Sequence, residues 1–210
     1  MDESILESNS GGPASSRNQW ATSERTRNQI LDTARDLFSE VGYADTSIND
    51  IVVRSGVSVG SIYHHIGGKP DLFEQVARRI LADLSAASHR AVEEAREAGE
   101  SDAVELYLVG ASAYLAAGWK NRKVNRLLLG DDRPRGFAAT EQELNAIMMA
   151  RMNVIVLGNP PAPEFSAIAI QALLRAAAGQ LVHVEDQSTA EGIIDYYIGL
   201  LRTLAYKRPH

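Results

Sequence analysis

Tyr63, His64 and His65 stand in a row behind the side-chain-poor pair Gly60-Ser61, and Lys69 follows shortly after. These are hydrogen-bonding and cationic groups with no nucleophile–base spacing among them. Together with the hydroxyls of Thr46, Ser47, Ser58 and Ser61 and the amide of Asn49, they suit contact with a polyanion better than bond chemistry. The other chemically suggestive group is His183 with Glu185 and Asp186. Residues two apart on a helix do not share a face, and no second histidine or cysteine lies at metal-ligand spacing. No Gly-rich phosphate loop or nucleophile motif is present either. The sequence therefore predicts no enzyme, no metal site and no cofactor.

The elements that must position those groups lie between Thr46 and Phe73. Thr46 or Ser47 can cap a short helix, with Asp50 in its opening turn and Ile48, Ile51 and Val52 on one face. Gly56 stands where that helix must end, because glycine takes φ > 0 without strain. Ser58 then caps a second helix over about Val59 to Ile66, and Ile62 and Ile66 fall on one side of it. Gly67-Gly68 breaks it, and Lys69-Pro70-Asp71 opens a third, where a first-turn proline costs nothing. Two helices around a glycine corner make a helix-turn-helix, whose second helix can enter the DNA major groove. The expected contacts are phosphate bonds from Tyr63, Lys69 and the capping hydroxyls, and base-edge contact from the first turn, Val59 included.

Gly42-Tyr43, Thr46-Ser47-Ile48, Asp50-Ile51, Ser55-Gly56-Val57-Ser58, Gly60-Ser61-Ile62-Tyr63-His64 and Lys69-Pro70-Asp71-Leu72-Phe73 follow one another at fixed spacing. In this pattern the segment resembles the DNA-binding domain of the tetracycline-repressor (TetR) family of bacterial transcriptional regulators. Ile66, Pro70 and His65 depart from the residues usual there. The resemblance implies an all-α fold, with an N-terminal three-helix DNA-binding domain and a C-terminal helical domain for ligand binding and dimerisation. It also implies operator DNA and a small effector as partners.

The rest of the chain fits this division. Its 210 residues carry a net charge of −6 and no cysteine, so disulfides and thiolate metal sites are excluded. That charge argues against a nonspecific coat on nucleic acid, but the local field at a docking face matters more, and Arg17, Arg25, Arg27, Arg54 and Lys69 lie near it. No apolar run is long enough to span a bilayer and no secretory signal opens the chain, so a cytoplasmic protein without a membrane partner is expected. Residues 1–20 read as a disordered tail, 21–68 as the DNA-binding domain and 69–210 as the second domain, with 69–97 as a linking helix.

About nine helices are expected in all. The first starts at Thr22 or Ser23, and one opens with a capping box at Thr140 and Glu143. Another runs from about Pro163 to Asp186, and the last opens with a box from Ser188 to Glu191. The final two are rich in small and apolar residues beyond a single face. They are expected to pair with their twofold copies, as the family resemblance also implies. The helices before them should surround a cavity for a small, largely apolar effector, with Tyr107, Tyr114, Trp119, Met148, Met152 and His183 as candidate lining. The resulting expectation is a ligand-responsive regulator, most often a repressor, that binds a palindromic operator as a homodimer. The alternative is a helical small-molecule or protein sensor that has lost operator binding.

Overall fold

Glycines and short polar residues mark several of the helix ends. The computed structural model describes residues 13–137, 139, 140, 142, 143 and 163–206, with side-chain surroundings for 21–137, 139, 140, 142, 143 and 168–205. Eight helices have described bounds, further helical residues occur at 137, 139, 140, 142 and 143, and no strand occurs among the described residues. They are α1 (Pro13–Val41), α2 (Ile48–Ser55), α3 (Val59–His65), α4 (Lys69–Glu97), α5 (Ala103–Lys120), α6 (Arg122–Leu129), α7 (Pro163–Leu181) and α8 (Gln187–Tyr206). Among the described residues no helix is long and apolar enough to cross a membrane.

The helix ends have local causes. Gly42 (φ 97°) closes α1 and Gly56 (φ 70°) closes α2, both in the left-handed region. Ser47 caps α2: its Oγ accepts from Asp50 N, and Asp50 Oδ2 accepts from Ser47 N at 2.8 Å and from the Ser47 hydroxyl at 2.6 Å. Those two donations, the hydroxyl's first, hold the Asp50 carboxyl below its ordinary value of 3.8. A carboxyl depressed on folding stabilises the fold above its unfolded value, and that help is lost as pH falls through the folded one. We expect a carbon-detected titration of Asp50 to give a midpoint below 3.8, and Ser47→Ala to move it upward. An unchanged midpoint would mean that the box does not form in solution.

Two apolar clusters result. The first joins Ile30, Leu31, Ala34, Leu37 and Phe38 of α1 with Ile51, Ile62 and the α4 stripe Leu72, Phe73, Val76, Ala77, Ile80 and Leu84. Leu127 of α6 and Phe137 complete it, so residues far along the chain close the core beneath the first three helices. At its centre the ring of Phe73 meets those of Phe38 (5.8 Å), Tyr43 (5.1 Å) and Phe137 (5.0 Å, edge-on). The second cluster joins α5, α7 and α8 through Leu108, Leu115, Ile170, Leu181, Ile194, Tyr197 and Leu201. The distal half of α4 lies close against α5. A Cβ on Gly110 would fall 2.8 Å from Ser88 Oγ and 2.9 Å from Val92 Cγ2.

Several boundaries differ from expectation. Helix α1 begins at Pro13 rather than at Thr22 or Ser23, so residues 13–20 of the segment expected to be disordered are helical. Proline fits a first helical turn, where its missing N–H has no intrahelical partner. Helix α7 ends at Leu181, short of Asp186. Other groups take up the carbonyls just past it: Arg126 Nε donates to Val182 O and Trp119 Nε1 to Val184 O, each at 2.9 Å. Asp186 then accepts from the backbone N–H and the hydroxyl of Thr189 at the start of α8, in place of a cap by Ser188. Residues 139, 140, 142 and 143 are helical, but Glu143 pairs with Arg78 (2.7 Å) and Thr140 donates to Glu74 (3.2 Å). Both side chains are thus spent on α4. Residues 1–12 and most of the expected helix beyond Glu143 lie outside the described residues.

Candidate functional site

Helix α3 is anchored chiefly by one residue, and its N-terminal end is presented outward. Ile62 is fully buried in the first cluster. Ser58, Val59, Gly60, Tyr63 and His64 are exposed, Tyr63 at 57 %. The nearest atom to a Cβ built on Gly60 is Ser58 Oγ at 4.0 Å, which leaves the start of the helix open to close approach. The Ser58 hydroxyl caps that start by accepting from Ser61 N at 3.2 Å and lies 3.0 Å from Ser61 Oγ. His65 is half-buried, edge-on to His64 (5.1 Å), with its Nδ1 3.4 Å from Ser23 Oγ on α1. Asn49 is exposed on α2. So is Val53, at 76 %, an apolar side chain on the same helix that sequence reasoning did not single out.

Other expected contacts have different employment. Thr46 is 2 % exposed, and its hydroxyl donates to Gly42 O at 2.6 Å. It ties the α1–α2 turn together and is withdrawn from the set of surface hydroxyls. The Ser47 hydroxyl hydrogen goes to Asp50, so Ser47 offers acceptor lone pairs rather than a donor. Lys69 Nζ donates to Ala44 O (3.0 Å) and lies 4.4 Å from the Tyr43 ring centroid, which holds its charge beside the same turn. Arg54 is engaged twice by Glu40, at 2.5 and 2.8 Å, and Arg27 donates to Gln75 at 2.6 Å. Periodicity gives no sign of these long-range pairs.

The turn before α2 has a further partner. Asp132, on the segment after α6, accepts from Tyr43 N (2.6 Å) through Oδ2 and from Ala44 N (2.9 Å) through Oδ1. Its carboxylate also crowds Gly42, where a Cβ would lie 2.7 Å from Oδ2. Burial, and then the Asp132 charge, push the Tyr43 phenol above its ordinary range.

The end of α6 and the segment after it also wall a cavity of about 120 Å³. Leu128, Leu129 and Phe137 line it together with Leu81 and Leu84 of α4, Tyr114, Leu115 and Gly118 of α5, and Leu174 and Ala178 of α7. Asn125 is the one described lining residue that is both polar and buried. Of the four expected lining residues that are described, only Tyr114 is here. Tyr107 lines a wider recess of about 610 Å³ between α4 and α5, which Tyr114 also reaches. Trp119 is spent on Val184 O, and His183 is exposed in the turn after α7, because the helix stops before it. Met148 and Met152 lie outside the described residues.

Residues 30–76 match the family model for bacterial regulatory proteins, tetR family. The HTH-type transcriptional regulator BetI 1 of Chromohalobacter salexigens is 42% identical over 64 residues, 30% of this chain and 32% of that protein. The HTH-type transcriptional repressor KstR2 of Rhodococcus jostii is 38% identical over 58 residues, 28% of each. These matches span about a third or less of the curated relatives' length. The fold carries the likeness further. A TetR-like transcriptional regulator from Rhodococcus sp. RHA1 superposes with a TM-score of 0.62 at 22% identity, over 86% of this chain and 93% of that one. Residues 30–76 thus carry a domain of the tetR family of bacterial regulatory proteins, and the fold around it is the one this solved regulator shares.

Proposed function

We propose that the chain is a transcriptional repressor that binds a palindromic operator as a homodimer and is released by a small, largely apolar effector. The observation that carries this reading is helix α3, held in the core by Ile62 and bare at its N-terminal end, with Tyr63 exposed beside it. A helix so presented can sit in a major groove, its first turn against base edges and its flanking groups against phosphates. One such helix reads few base pairs, hence two copies on two half-sites. The surface for pairing is α7 with α8. Ile168, Tyr196 and Leu204 are exposed there at 54, 64 and 44 %, and Gly192 and Gly199 have no atom within 4 Å of an added Cβ. The test is selection of bound fragments from random DNA, with sedimentation of the protein alone. The expected product is an inverted repeat and a mass of two chains. Unselected DNA, or a single-chain mass at high concentration, would overturn the reading.

Release follows from two connections between cavity and reader. Helix α4 carries Leu81 and Leu84 into the cavity wall, and Leu72 and Phe73 into the core under α3. The segment 128–137 lines the same cavity and holds the α1–α2 turn through Asp132. An effector that favours another position of either element competes with DNA by a coupling free energy. Asp132→Ala is expected to speed amide exchange at Tyr43 and Ala44 roughly tenfold, for about 1.4 kcal/mol lost at each bond. Exchange at Ile51 should hold steady. Unaltered rates at both turn amides would remove the Asp132 connection.

A further inference from the structure

Among the described residues, one buried polar group in the cavity wall is left without a partner. Asn125 is 4 % exposed and lines the cavity. Its Nδ2 donates to Gly118 O at 2.6 Å. A backbone carbonyl only accepts, so this bond fixes which end of the amide is which. The remaining atom, Oδ1, is buried and has no hydrogen-bond partner among the described residues. Around it the wall is apolar, with Leu84, Leu115, Leu128 and Leu174. A buried acceptor without a donor is a penalty carried by the empty protein, and a site built around such a group discriminates strongly by chemistry.

We propose that the cavity takes an apolar molecule bearing a hydrogen-bond donor, a hydroxyl or N–H, which it places on Asn125 Oδ1. The proposal rests on reading this cavity as the effector site. A ligand offering only acceptors there, such as a ketone, sets oxygen against oxygen, and a carboxylate adds the cost of burying its charge. Tyr114 also lines the wall, but a phenol hydroxyl donates or accepts and so does not select. Gln171 and Arg175 line it too and are less buried than Asn125. The selecting group is therefore the amide oxygen. A space of about 120 Å³ is comparable to engineered apolar cavities of about 150 Å³ that hold one benzene ring. The anchoring portion is accordingly about one ring in size.

Cyclohexanol and cyclohexanone are probes of nearly equal size that differ in this one respect. By titration calorimetry on the full chain, the alcohol is expected to bind about tenfold more tightly than the ketone, equivalent to about 1.4 kcal/mol. In Asn125→Leu that preference should shrink below about twofold, with ketone affinity kept. If alcohol and ketone bind alike to the unmodified protein, the donor assignment is wrong, while the cavity reading stands. If neither binds, the cavity reading goes and the donor assignment with it. A preference that persists in Asn125→Leu would overturn the role of Asn125. Should that variant fail to fold, the ratio in the unmodified protein still decides.

Discussion

Tyr63→Ala is expected to abolish operator binding while leaving the fold and the dimer mass intact. The side chain is 57 % exposed and contributes nothing to the cluster beneath α3, where Ile62 does the anchoring. Its loss should therefore leave the melting temperature almost unchanged, as exposed truncations usually do. Bound to DNA, the same residue would sit at the groove edge in both half-sites. A specific contact is worth about 1–3 kcal/mol, so losing it twice costs roughly 2–6 kcal/mol, or about thirtyfold to well over ten-thousandfold in affinity. Gel shifts on the selected operator, with sedimentation as control, read both halves of the prediction. Wild-type affinity in the variant would mean that another surface meets the DNA.

Phe73→Ala is expected to have the largest effect on stability. The ring is 1 % exposed and touches the rings of Phe38, Tyr43 and Phe137. Removing a buried phenylalanine costs about 3–5 kcal/mol, a large part of the roughly 5–15 kcal/mol that holds a typical domain together. The cavity would open where the first three helices, the start of α4 and the segment after α6 meet. Urea denaturation should show a midpoint shift of that size, and binding to the selected operator should fall with it. A loss below about 1 kcal/mol would indicate that the neighbouring rings collapse into the space.

What could be read from the sequence was what local chemistry decides. The caps at Ser47 and Ser58, the left-handed Gly56 and the fresh start at Lys69-Pro70 each depend on residues within one helical turn, and all are present. The burial of Ile51, Ile62 and the α4 stripe follows from helical periodicity. Partners brought together by tertiary structure left no such signal. Thr46 looks like a capping hydroxyl until the turn folds over it and directs it to Gly42 O. Arg54 looks like a cation for phosphate until Glu40 on α1 takes both of its terminal nitrogens. His183 seemed to belong to a helix only because nothing nearby in the chain reveals that Arg126 and Trp119 will receive the carbonyls after Leu181. Asn125 was passed over for a similar reason. A lone asparagine in a short apolar segment gives no hint that one end of its amide will be bonded and the other left bare.

The bonds from Tyr43 and Ala44 to Asp132 also bear on how the molecule is made. The carboxylate that finishes the turn lies 89 residues downstream of Tyr43. On a ribosome elongating at about 5–20 residues per second, the Tyr43 turn is synthesised roughly 4–18 s before its clasp. Phe137, the last ring to reach Phe73, arrives later still. During that interval the nascent chain has an N-terminal half with an open aromatic seam and two amides awaiting their acceptor. Its first helices reach their final packing only when translation has passed Phe137.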